Sequence, residues 1–253
     1  MMIIKQPFNF KKINLKLYFL FALIVFISSC KTPDLVLSDN LQQNTTVLEV
    51  TGRQGWQYNQ VLKFGEFKTS KIKRGWNLGY NFPFVVSFKE AKEKLNFTQQ
   101  IPSGKEAQVL CVGKFKNTEV SLIDDFFAIT LKHEDYFAGT VKKENLNWDF
   151  IIYEPDGNSL KDITSGYIRN QNNKDETIKI KAIKKVKGQA NWVGIDVNGY
   201  EFIKNGKSIG AVSLLNNGRV WINNKTTDDT KLVLSSIMSS LMVRHSLSES
   251  LNE

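Results

Sequence analysis

Between residues 47 and 223, apolar and polar positions alternate in short runs with a period near two, and after Thr226 the period changes once, to that of a helix. Runs rich in Val, Ile, Phe, Tyr or Trp stand at 47–50, 60–67, 71–76, 84–88, 108–115, 126–131, 148–153, 167–169, 177–186 and 192–197. Two or three more lie between 199 and 223, and the pattern predicts about ten to twelve strands. Residues 90–96 read as a short helix. Asn198-Gly199, Asn205-Gly206 and Asn217-Gly218 suit tight turns with positive φ, and Glu154-Pro155-Asp156-Gly157-Asn158 is a further turn.

Thr226 and Asp229 have capping-box spacing, and the helix that follows spans 228–245. Val233, Leu234, Ile237, Met238, Leu241 and Met242 cover one broad arc, opposite Ser235, Ser236, Ser239 and Ser240. Leu232 and Val243 fall within the serine arc, so little of this helix suits water. The expected fold is mainly β, an antiparallel barrel of about ten to twelve strands with the apolar C-terminal helix inside it. The other arrangement is an amphipathic helix outside the sheet with its serines in solvent, which leaves a hollow barrel.

The first 29 residues differ from the rest. Lys5, Lys11, Lys12 and Lys16, with no acid among them, precede an apolar run shorter than the ~20 residues a spanning helix needs. Ile27-Ser28-Ser29-Cys30 resembles the bacterial lipobox. The resemblance implies cleavage before Cys30, acylation of its thiol and amine (palmitate among the chains), and an outer-membrane lipoprotein facing the periplasm. The expected organisation is a signal peptide at 1–29, a lipidated tether at 30–46 and a single β-rich domain at 47–253.

Composition fits one folded domain, with 42% hydrophobic and 23% charged residues. The formal charge of +9 falls to +5 once the four leader lysines are set aside, leaving 30 basic against 25 acidic residues. Nucleic acid is not an expected partner at such an address; anionic lipid or glycan is. With Cys30 acylated, Cys111 is the one remaining thiol, and its strand-like surroundings read as a buried, inert site.

Signals for catalysis are thin. Two histidines, His133 and His245, do not make a His-rich metal centre, and no HExxH, CxxC, nucleophile elbow, P-loop or dinucleotide fingerprint occurs. His133-Glu134-Asp135, with Asp124-Asp125 nearby, reads as a polar loop, since neighbours on a strand face opposite ways. No cofactor or metal is expected. The basic stretch Lys179, Lys181, Lys184, Lys185 and Lys187, with Lys71, Lys73 and Arg74, offers an anionic-surface binding site or, alternatively, the guarding charges of edge strands. Ala182-Ile183 breaks its alternation and predicts a bulge or strand end. Trp56 and Trp76 suit sugar stacking, a lipid interface or core packing.

The series Gly199-Tyr200-Glu201-Phe202-Ile203, Ile209-Gly210-Ala211-Val212 and Gly218-Arg219-Val220-Trp221-Ile222, then an acidic turn and an apolar C-terminal helix, resembles the tubby C-terminal superfamily, with its phospholipid scramblases and LURP-one-related proteins. That resemblance implies a barrel of roughly twelve strands closed around its last helix, and lipid binding through basic side chains. The functional expectation is a non-enzymatic, membrane-anchored lipid- or membrane-surface binding module. The alternatives are an envelope assembly component that binds another envelope protein, or a small-ligand carrier with a lipocalin-like pocket.

Overall fold

Strand alternation is clearest where the sequence had suggested a helix. In the computed structural model, which describes residues 34–53, 59–75, 91–113, 136–153, 164–188 and 196–244, Glu93–Gln100 is an eight-residue strand burying Glu93, Leu95, Phe97 and Gln99 on one side. Four successive inward positions, each followed by an outward polar one, make a period of two, and that pattern outweighs the helix propensity of Ala91, Lys92 and Glu93. The predicted segments at 84–88 and 126–131, and most of 192–197, lie outside the described residues.

The strands are β1 (Thr45–Thr51), β2 (Lys63–Phe64), β3 (Phe67–Thr69), β4 (Lys73–Arg74), β5 (Glu93–Gln100), β6 (Glu106–Gly113), β7 (Tyr136–Lys143), β8 (Leu146–Tyr153), β9 (Thr164–Asn170), β10 (Thr177–Ile183), β11 (Gly199–Lys204), β12 (Lys207–Ser213) and β13 (Arg219–Asn223). They form an antiparallel meander that closes on itself. β1 pairs with β13 from Thr45↔Asn223 to Glu49↔Arg219, and β3 pairs with β5 at Lys68↔Gln100 and Thr69↔Gln99. β4 lies further along the same edge of β5, at Lys73↔Asn96 and Arg74↔Leu95. Since β3 and β4 share one place in the ring, the 13 strands make a twelve-place barrel. Asn205-Gly206 forms the two-residue β11–β12 turn, both residues at positive φ (51° and 74°), as a type I′ hairpin requires. Asn198-Gly199 is no hairpin. Gly199 starts β11, where a Cβ would lie 2.3 Å from the Val212 carbonyl oxygen and 2.5 Å from a Leu35 methyl carbon.

Two helices complete the described structure, α1 (Asp39–Asn44) and α2 (Asp228–Val243). α2 occupies the barrel. Every residue from Leu232 to Val243 is buried, serines included, and the helix packs against β5, β6, β7, β8, β12 and β13. A helix apolar on most of its circumference needs such a surrounding wall. Each large apolar side chain buried there contributes about 1.5–3 kcal/mol. The serines find partners: Ser235 and Ser236 donate to the Leu232 carbonyl, Ser240 to that of Ser236, and Ser239 to Gln99 Oε1 at 2.7 Å. The N-cap is Thr227, one residue later than the predicted box, because Thr226 N–H closes a turn onto the Asn223 carbonyl.

Residues 34–44, expected to belong to a free tether, are docked on the outside of the barrel. Leu35, Leu37 and Leu41 form a second apolar cluster with Ile183, Ala211 and Trp221. This strap also explains the broken alternation at Ala182-Ile183. The strand ends at Ile183, one of the two expected outcomes, and keeps its period up to there, with Ile183 facing outward into a covered position. The register shift instead lies on β9, where Ile180 pairs with Gly166 and Lys181 with Thr164.

Candidate functional site

The two mouths of the barrel are chemically distinct, and α2 sets the difference. At its C-terminal end the last carbonyls lack intrahelical partners and carry partial negative charge. Three arginines gather there. Arg53 Nε donates to the Met242 carbonyl at 2.9 Å, and Arg74 Nη2 to that of Val243 at 2.6 Å. Arg244 donates to the Tyr200 hydroxyl at 2.5 Å and stacks over the Phe137 and Tyr200 rings. Burial lowers Arg53 from the usual guanidinium range, yet its carbonyl partners hold the charged form. Arg74 also pairs with buried Glu93 at 3.2 Å. Thus Arg74, read from sequence as part of an anionic-ligand surface, joins a strand to the helix end.

The remaining basic residues of that expected surface are distributed by the topology. Lys179 and Lys181 point outward from β10 while Ile178, Ile180 and Ala182 point into the core. Lys71 and Lys73 are exposed on the edge formed by β3 and β4, which the ring order places on the opposite wall from β10. The two groups therefore do not form one face. They do converge in height. Lys73 precedes Arg74, which caps α2, and Lys184 and Lys185 follow the end of β10 at the same mouth, opposite the start of β11 at Gly199. Lys185 is exposed and Lys184 is half-buried.

The strap enters the fold at this mouth. Leu35 bridges to Val186, Val36 N–H donates to the Lys185 carbonyl at 3.1 Å, and Lys187 N–H to the Asp34 carbonyl at 2.7 Å. Asp34 accepts a 2.7 Å ion pair from Arg219, which also binds Glu49; although desolvation opposes it, these two carboxylates raise the Arg219 pKa. Lys187 lies 3.6 Å from the Asp34 carboxylate. Further along, Ser38 Oγ donates to buried Glu201 at 2.5 Å.

The chain matches no protein-family model, no curated protein and no solved structure. Cys111 is fully buried against Ser240, and burial pushes its thiol up to about 12, which removes it as a nucleophile at neutral pH. Among the described residues no three His, Cys, Asp or Glu side chains come together, and no helix is long and apolar enough to cross a membrane. Cys30, Trp56, Trp76, His133, His245 and the Asp124-Asp125 and Glu134-Asp135 pairs lie outside the described residues. Sequence reasoning missed Arg53, whose partners are up to 189 positions away, and Asp149, buried on β8 beside Thr140 and Gln171. An isolated Arg or Asp in a β pattern carries no signal of a long-range partner.

Proposed function

We propose that this protein is a lipid-anchored, non-enzymatic membrane-surface binding module of the bacterial envelope, held with the C-terminal mouth of α2 toward the bilayer. The observation that carries the reading is the docking of Asp34–Leu37 beside Lys184, Lys185 and Lys187. Cys30 precedes Asp34 by four positions, which span at most about 14 Å when fully extended. Acylation at Cys30 then places this lysine run within reach of lipid headgroups, where each lysine adds about 1 kcal/mol of attraction to an anionic surface. Several acyl chains on Cys30 suffice for stable anchoring, and the basic cluster adds attraction to anionic headgroups and orients the domain on the surface. Among the described residues the helix fills the barrel, which favours the outside as the working surface over a lipocalin-type interior. A closed barrel around a C-terminal helix is the layout that the tubby-like resemblance implies.

Two experiments test this. Metabolic labelling with a clickable fatty acid marks the wild type and leaves Cys30→Ser unmarked; label retained in the mutant overturns the anchor. The chain from Lys31 onward is then floated with phosphatidylglycerol-containing vesicles. Charge reversal at Lys184, Lys185 and Lys187 is expected to weaken binding on the order of a hundredfold. Equal flotation of wild type and triple variant removes the lysine surface from the function.

A further inference from the structure

The other mouth, at the N-terminus of α2, holds a cleft of about 660 Å³, within the size range of small-molecule sites. It lies between the β7–β8, β9–β10 and β11–β12 hairpin tips, the end of α1 and the first turn of α2. Three features define its chemistry. First, it presents the asparagines Asn40, Asn44, Asn145, Asn170 and Asn223, of which Asn44, Asn170 and Asn223 use part of their donor and acceptor capacity within the protein. Second, Leu146, Trp148 and Ile209 give it an apolar side. Third, Ser208 lines it with a hydroxyl that is only 6% exposed at the residue level and has no hydrogen-bond partner among the described residues. A buried hydroxyl without a partner is costly, and a ligand at this position would satisfy it. Ile209 is the extra residue of a bulge, since Phe202 pairs with Gly210 and Ile203 with Ser208. Bulges re-aim side chains beside binding sites.

The two acidic side chains of the lining are paired within the protein. Lys204 pairs with Glu176 at 2.5 Å, and Asn170 also donates to Glu176; burial opposes ionisation of this carboxyl, but the two hydrogen bonds hold its pKa below the usual range. Asp229, in the first turn of α2, pairs with Lys105 at 2.9 Å and offsets the positive end of the helix. Lys207 and Lys225 also line the cleft, and both are exposed. Such a lining fits an uncharged molecule with many hydroxyls and an apolar C–H face. We propose that the cleft binds a neutral oligosaccharide, with Ser208 and Asn145 donating to its hydroxyls and Trp148 and Ile209 lying against its ring face. The site itself does not depend on the membrane anchor; if the anchor is as proposed, the cleft faces away from the bilayer.

The full chain in detergent micelles is titrated calorimetrically with maltohexaose, cellohexaose and chitohexaose, and separately with inorganic phosphate and an acidic peptide. At least one hexasaccharide is expected to bind. Ser208→Ala deletes a hydroxyl with no hydrogen-bond partner among the described residues, so it is expected to keep the structure and to weaken that binding about tenfold. Asn145→Trp, at an exposed turn, is expected to block the cleft. The proposal is overturned if no hexasaccharide binds at 10 mM-scale concentrations (roughly −2.7 kcal/mol), if neither variant changes the affinity, or if phosphate or the peptide alone binds.

Discussion

Arg53 and Met242 are joined by a 2.9 Å hydrogen bond from guanidinium Nε to carbonyl oxygen, which fastens the loop after β1 to the end of the central helix. The same side chain reaches the carbonyls of Leu214 at 2.6 Å and Asn216 at 2.9 Å. One residue thus locks the helix, the β12–β13 connection and the first strand at one mouth.

Arg53→Ala strips three carbonyls of a charged donor, and we expect a loss of about 3 kcal/mol in urea unfolding. Arg53→Lys recovers less than half of it, because an ammonium does not reproduce the planar fork. A loss below about 0.5 kcal/mol for the alanine variant shows that water replaces the guanidinium at no cost.

The four serines of α2 are not equivalent. Ser239 donates to Gln99, a residue with no exposure, so Ser239→Ala leaves the Gln99 oxygen without this donor inside the barrel. The expected cost is about 1–3 kcal/mol. Ser236 donates back to the Leu232 carbonyl within the helix, and Ser236→Ala is expected to stay within about 0.5 kcal/mol of wild type. Denaturation midpoints of the two variants, compared directly, decide the point; equal effects mean that the Gln99 contact adds nothing.

Asp149 makes the protein pH-sensitive. Burial raises its carboxyl to about 7, against a lowering hydrogen bond from Gln171, while an unfolded chain releases the proton near 3.8. Between about pH 4 and pH 7 the folded state therefore holds a proton that the unfolded state has lost, and this group's contribution to stability falls as pH rises, by up to about 1.4 kcal/mol per pH unit. Above and below that window it is flat. Asp149→Asn is expected to lack this slope and to gain stability over wild type at pH 8 relative to pH 4. Parallel stability profiles for the two proteins would mean that Asp149 is ionised in the fold at neutral pH.

Much of the architecture was legible because period is a local property. Ile178, Ile180 and Ala182 alternate with lysines, and Asn205-Gly206 marks its turn by the positive φ that few other residue pairs accept. The helix was legible from its apolar arc, although its cap was placed one residue early. Residues 90–96 were misread because a few helix-favouring residues outweighed a pattern that emerges only once Leu95, Phe97 and Gln99 are taken together. The strap was misread for a different reason. Leu35-Val36-Leu37 is an apolar run too short to show a period, Leu41 stands alone among polar residues, and the partners Ala211 and Trp221 lie far along the chain.

By itself, the sequence determined that this protein is β-rich, that it ends in a helix too apolar for solvent, and that its basic residues cluster along 179–187, since spacing and composition need no partners to be read. Only the tertiary structure decided that the barrel closes between β1 and β13, that β3 and β4 lie across from β10, and that Arg74 serves the helix end. It also decided that Ser208 and five asparagines surround one cleft. These are pairings between residues as many as 189 positions apart, and chain closure, not local preference, fixes which of them meet.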